Sequence, residues 1–234
     1  MLSRRRFLES AFVAAIAASL GAAEGKRAPR VVLRSSWQTV NIGDIAHTPG
    51  VLALLEKHFP EAEVTLWPSN VENGVKEMLS ARFPKLKFVG PKPDVAKLYA
   101  ENDFLLHGSG PSLVGEKQIA LWRKQGPKPY GVLGITQGKP GAETIAILDG
   151  AQFVYFRDSV SLETAKAAGV KCPVMEFGPD GAFATDLRND EKAEAFLHGW
   201  GLERGKFLCC IPRYRSTPYW TIHKERAFDP VKQK

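Results

Sequence analysis

From residue 30 onward, short apolar runs alternate with longer stretches whose apolar residues recur at helical spacing. Val31-Val32-Leu33, Val64-Thr65-Leu66-Trp67, Leu86-Lys87-Phe88-Val89, Phe104-Leu105-Leu106 and the segments 130–135, 153–156 and 174–177 read as strands. The intervening pattern predicts helices over 50–59, 71–83, 94–100, 116–125, 142–148 and 159–168. Pro60, Pro84 and Gly126-Pro127 close three of them. Gly169 stands where a left-handed residue follows the last. Nearly continuous apolar strands alternating with amphipathic helices predict an α/β fold, with a parallel sheet covered on both faces. We therefore expect a Rossmann-like domain over residues 30–185. Ligands of such sheets bind outside the carboxyl ends of the strands, and that rim is where chemistry is sought.

The two ends read differently. Ser3-Arg4-Arg5-Arg6-Phe7-Leu8-Glu9 precedes a small-residue run from Ala11 to Ala23. That run is too short to span a bilayer, which takes about 20 residues. A basic start, an apolar middle and a small-residue end make a secretory signal, and the paired arginines look like a twin-arginine signal. Residues 1–29 are thus expected to be signal peptide and linker. The expected location is periplasmic or exported, with the twin-arginine export machinery as a partner; an ordinary amphipathic helix there would leave the protein on the cytoplasmic face. At the other end, 190–198 predicts a polar helix with Ala193, Phe196 and Leu197 inward. Residues 206–211, with Cys209 and Cys210, read as a buried strand. Only proline-punctuated sequence follows it, so 186–234 is expected to be a linker helix and the start of an incomplete second domain.

Composition narrows the chemistry. The 234 residues are 44% hydrophobic and 24% charged, a globular balance. The formal charge of +7 is partly carried by the N-terminal arginines. The remaining Lys and Arg form no block with interleaved aromatics, so no nucleic-acid partner is expected. A basic cleft for a small anion is the better use of a mild excess. Three cysteines with no C-x-x-C spacing, and five histidines in no ligand pattern, predict neither a disulfide framework nor a metal site.

Four loops at strand ends carry the candidate residues. The first holds Asn41, Gly43 and Asp44: Gly43 permits positive φ, and Asn41 and Asp44 suit capping or ligand contact. Turn chemistry alone explains them equally well. The second, His107-Gly108-Ser109-Gly110, could present backbone N–H groups to a phosphate or carboxylate, with His107 as an acid or base or as a structural residue. In the third, Arg157-Asp158-Ser159, the arginine leaves a buried strand and could fork onto an anion or tie two loops through a carboxylate. Asp158 or Ser159 caps the next helix. The fourth, Gly178-Pro179-Asp180-Gly181, is a turn in which Asp180 could orient a base.

Taken in order, Asn41-Ile42-Gly43-Asp44, the glycine loop after Leu106, Arg157-Asp158-Ser159 with Gly169-Val170, and Pro179-Asp180-x-Ala182-Phe183 resemble the polysaccharide pyruvyl transferase family. The likeness runs from about Val31 to Phe183 and on into Ile211-Pro212-Arg213-Tyr214. It implies the N-terminal half of a fold like the two-domain GT-B glycosyltransferases. It also implies transfer of a pyruvyl group from phosphoenolpyruvate to a sugar of a surface glycan. The implied partners are a small anionic donor and a sugar or polysaccharide acceptor, with no cofactor beyond the donor substrate. By the same resemblance Arg157 is the donor-anion residue, while further basic and His groups would come from Arg213, Arg215 and His223. A non-catalytic exported carbohydrate-binding module and a nucleotide-sugar glycosyltransferase are the alternatives on this scaffold.

Overall fold

The computed structural model describes residues 27–210. The expected signal segment, Ile211 to Tyr214, Arg215 and His223 lie outside them. The described residues up to Asp186 form one compact unit, and those from Leu187 a second.

The first unit is built on seven strands: β1 (Arg30–Ser35), β2 (Glu63–Pro68), β3 (Lys87–Phe88), β4 (Phe104–His107), β5 (Tyr130–Ile135), β6 (Val154–Phe156) and β7 (Met175–Phe177). The helices between them are α1 (Ile42–His58), α2 (Val75–Arg82), α3 (Val95–Glu101), α4 (Glu116–Gln125), α5 (Ala142–Asp149) and α6 (Ser159–Ala167). A short 3-10 turn over Gly181–Ala184 follows β7. The sheet order is β3-β2-β1-β4-β5-β6-β7, and every pairing is parallel. This is the Rossmann-like arrangement expected. The order reverses between β1 and β4, so the crevice at the carboxyl ends opens there.

Strand alternation explains the two cores. Val31 and Leu33 of β1 face one side with Leu66, Phe104 and Leu106, where Val51 and Leu55 of α1 and Leu79 of α2 cover them. Val32, Leu105, Val132 and Val154 face the other, under Trp122 of α4 and Ile147 and Leu148 of α5. Burial on both faces is why the strands read as unbroken apolar runs.

Side-chain caps set the boundaries nearest the rim. Asn41 starts α1 by accepting from the Gly43 N–H at 3.0 Å, and Asp158 starts α6 by accepting from the Ser161 N–H at 2.7 Å. Asp180 starts the 3-10 turn by accepting from the Ala182 N–H at 2.9 Å. The first helix begins at Ile42 rather than residue 50, because Pro49 lies inside it and does not end it. A proline in a helix interior forgoes a hydrogen bond, and here the packing of the buried Thr48-Pro49-Gly50 stretch outweighs that loss.

In the second unit, α7 (Asp190–Gly199) is capped by Asn189, which accepts from the Lys192 N–H at 2.9 Å. It buries none of its residues, so the expected inward set of Ala193 and Phe196 is exposed and Leu197 only half-buried. Residues 206–210 form no strand, and Cys209 and Cys210 are exposed. An apolar run without a neighbouring strand has nothing to satisfy its backbone as a ladder.

Candidate functional site

Four strands deliver polar side chains to one rim. Ser109 follows β4, Thr136 follows β5, Arg157 and Asp158 follow β6, and Asp180 follows β7. Asp180 joins them. Its Oδ2 accepts from Arg157 Nη1 at 2.6 Å, and its Oδ1 lies 2.7 Å from His47 Nδ1. The same His47 nitrogen lies 2.9 Å from Ser109 Oγ. Arg157 Nε donates to Thr136 Oγ1 at 2.7 Å, and that hydroxyl donates to Asp158 Oδ2 at 3.2 Å. One connected network thus spans the ends of β4 to β7 and the first turns of α1.

Burial would raise the Asp180 carboxyl. The bonds from His47, the Ala182 N–H and Arg157 outweigh it, so its pKa falls to about 2. Asp180 is therefore ionised, and its Oδ1 accepts a hydrogen bond from His47 Nδ1–H. Asp158 is likewise held below the ordinary aspartate range. Burial pushes it up, but the Ser161 N–H, the Ser161 hydroxyl and Thr136 pull it down further.

Glycines make this convergence possible. A Cβ on Gly50 would lie 1.9 Å from Gly181 O, and one on Gly181 would lie 2.7 Å from both Ser109 Oγ and Val51 Cγ2. The helix and the 3-10 turn therefore touch backbone to backbone, which brings His47 within reach of Asp180. Gly134 has φ +60, and the β5–β6 register shifts between Val132 and Ile135. A Cβ at 134 would press on Pro179 O at 3.0 Å and Ser109 Cβ at 3.1 Å, so this bulge seats the loop that carries Asp180.

The other expected residues have different positions. His107 is fully buried, and its Nε2 accepts from the Gly115 N–H at 2.9 Å. Its ring stands 4.8 Å from Trp37, centroid to centroid. Burial, with the nearby Arg34 charge, lowers its pKa to about 3. Such a histidine is kept neutral and out of contact with solvent, which corrects its expected acid–base role. Arg34, its register partner, is also buried. It donates to Trp67 O at 2.9 Å and Ser69 Oγ at 2.6 Å, and its Cζ lies 4.9 Å from the Trp37 ring centroid.

Gly108 and Gly110 spend their N–H groups on the sheet, donating to Arg34 O at 2.9 Å and Gly134 O at 3.3 Å. A Cβ on either would press on Ser35 or Trp37. They are packing glycines, and the expected anion cradle is corrected accordingly. Ser109 keeps its place in the network. Asn41 is a helix cap, and Asp44 accepts from Gln38 Nε2 at 2.5 Å; neither enters the network. Gly43 takes no positive φ; that conformation falls on Ser36, at φ 58. Asp158 is the cap of α6, and Ser159 is exposed at its first position.

Three network members escaped the sequence reading: His47, Thr136 and Ser161. Thr136 had a signal, since it directly follows a strand end. His47 had a weaker one, because helices that follow parallel strands start at the ligand rim. Among the described residues no three His, Cys, Asp or Glu side chains gather as a metal site. No helix among them is long and apolar enough to cross a membrane.

A doubly wound parallel sheet with its polar network at the carboxyl ends defines a Rossmann-like α/β domain. The chain belongs to the polysaccharide pyruvyl transferase family, whose model matches residues 41–224. That match includes His47, Ser109, Thr136, Arg157 and Asp180. A solved protein from Klebsiella pneumoniae, itself described as uncharacterized, is similar at 15% identity and a TM-score of 0.47. The match covers 80% of this chain, which spans 59% of that protein's length. No curated protein matches the chain.

Proposed function

We propose that the chain acts in transfer of a pyruvyl group from phosphoenolpyruvate to a sugar hydroxyl of a surface glycan. In that reaction the methylene carbon of the donor takes a proton, and C2 becomes cation-like. One sugar hydroxyl adds to C2, phosphate leaves, and a second hydroxyl closes the ketal; of the two hydroxyl protons, one balances the proton taken up at carbon and the other leaves with the phosphate. The donor carries a carboxylate and a phosphate, so a fixed guanidinium at the rim is the first physical need.

Arg157 is the observation that carries the reading. Its Nε and Nη1 are engaged by Thr136 and Asp180, while Nη2 has no partner among the described residues. The side chain is 27% exposed, so that nitrogen belongs to a group open to the rim. Asp180 and Thr136 hold the cation; the donor would meet its remaining N–H groups. Export through the segment 3–23 is a separate proposal, because phosphoenolpyruvate is a cytoplasmic metabolite and an exported chain would need another donor.

The test is phosphate release from phosphoenolpyruvate by the full chain across a panel of sugar acceptors. Release that Arg157→Ala abolishes supports the proposal. Absence of release with every acceptor rejects it.

A further inference from the structure

We propose that Thr136 is a positioning residue that fixes the guanidinium plane of Arg157, so that Nη2 alone among its nitrogens is left wholly for an anionic oxygen. This rests on the reading of Arg157 as the group that meets the donor.

A guanidinium on a flexible stem, held at one nitrogen, can still turn about that contact. Held at two nitrogens of one rigid plane, it cannot. Asp180 supplies the contact at Nη1 and Thr136 the contact at Nε, 2.6 and 2.7 Å away. The polarity of the second contact is forced. Arginine only donates, so the threonine oxygen must accept, and its single hydrogen is left for Asp158 Oδ2 at 3.2 Å. Asp158 does not yield to that pull, because the Ser161 N–H and hydroxyl hold it at 2.7 and 2.8 Å. The Ser161 hydroxyl accepts in turn from the Gln137 N–H at 2.8 Å. Each hydrogen is used once, and the two arms of the chain, one from the guanidinium and one from the Gln137 N–H, both donate toward Asp158, whose Oδ2 accepts from the Thr136 and Ser161 hydroxyls.

Strand register places Thr136 there. Ile135 pairs with Phe156, and the Arg157 N–H donates to Ile135 O at 3.0 Å. The residues that follow each strand are thereby neighbours at the rim. Valine has nearly the shape of threonine and lacks both hydrogen-bonding functions; serine keeps them. The pair separates a hydroxyl that orients from a side chain that merely fills space.

Two measurements on the full chain test the clamp. Phosphoenolpyruvate binding by calorimetry is expected to weaken about tenfold in Thr136→Val, the loss of one charge-assisted hydrogen bond, and to stay within about twofold in Thr136→Ser. In 15N-labelled protein, the Arg157 Nε–H is expected to exchange with water faster in Thr136→Val and at the wild-type rate in Thr136→Ser. An Arg157 Nε–H as protected in Thr136→Val as in wild type overturns the clamp, as does unchanged phosphoenolpyruvate affinity in that variant. A wild type that binds no phosphoenolpyruvate, yet shows the hydroxyl-dependent protection, overturns the donor reading of Arg157 and leaves the clamp standing.

Discussion

His47 and Asp180 are 133 residues apart in the chain and 2.7 Å apart in the fold. The contact joins the first helix of the domain to the turn after its last strand. It also gives Asp180 two cationic or proton-bearing partners, because Arg157 holds the other carboxylate oxygen.

Asp180 therefore contributes to stability with a definite pH window. Its folded pKa, about 2, lies below the ordinary 3.8. The stabilisation is complete above the ordinary value and is lost as the pH falls through the folded one. A shift of this size is worth about 2 kcal/mol at pH 7 and about half that at pH 3. Urea unfolding of Asp180→Asn against wild type is expected to show that difference at pH 7 and its shrinkage in acid. A gap that does not change with pH would assign the loss to shape alone.

His107 gives the opposite half of the acid profile. Burial keeps it neutral in the folded chain down to about pH 3, whereas the unfolded imidazole charges near 6.5. Between those values the unfolded state binds the extra proton, so stability declines as pH drops. One such group removes about 2 kcal/mol between pH 7 and about pH 5. Replacing it by a residue that cannot titrate, as in His107→Gln, is expected to flatten the unfolding free energy over that interval. An unchanged slope would place the acid sensitivity elsewhere.

Gly50 is the sharpest steric test. An alanine methyl there would overlap Gly181 O, a backbone atom that cannot rotate away. Relief requires α1 and the 3-10 turn to separate, which stretches His47 from Asp180. Gly50→Ala is expected to destabilise the domain by about 1–3 kcal/mol, the usual range for overpacking. The expected companion result is loss of the Asp180-dependent acid window. A variant as stable as wild type would mean that the two backbones are not in contact in solution.

Much of the scaffold could be read directly. The segments 116–125 and 130–135 coincide with α4 and β5, since each has a clear apolar pattern and a Gly-Pro break between them. Arg157, Asp158 and Asp180 stood out because charged residues directly follow apolar strands. His47 and Thr136 did not, because a lone histidine in a helix and an uncharged threonine after a strand give only a positional signal and do not name their partners. Their partners come from strand register and from the Gly50–Gly181 contact, both non-local. His107 misled for the complementary reason. Its place after β4 suggested access, and the cover supplied by Trp37 and Gly115 is invisible in the linear text.

The bond from the Thr185 hydroxyl to Ala46 O closes a span of 139 residues. On the ribosome, α1 emerges long before the segment that completes it. Until Thr185 has left the exit tunnel, the notch at Gly50 is unfilled and His47 has no carboxylate beside it. Nascent domains that wait so long for a distant partner fold slowly and depend on protection from premature association.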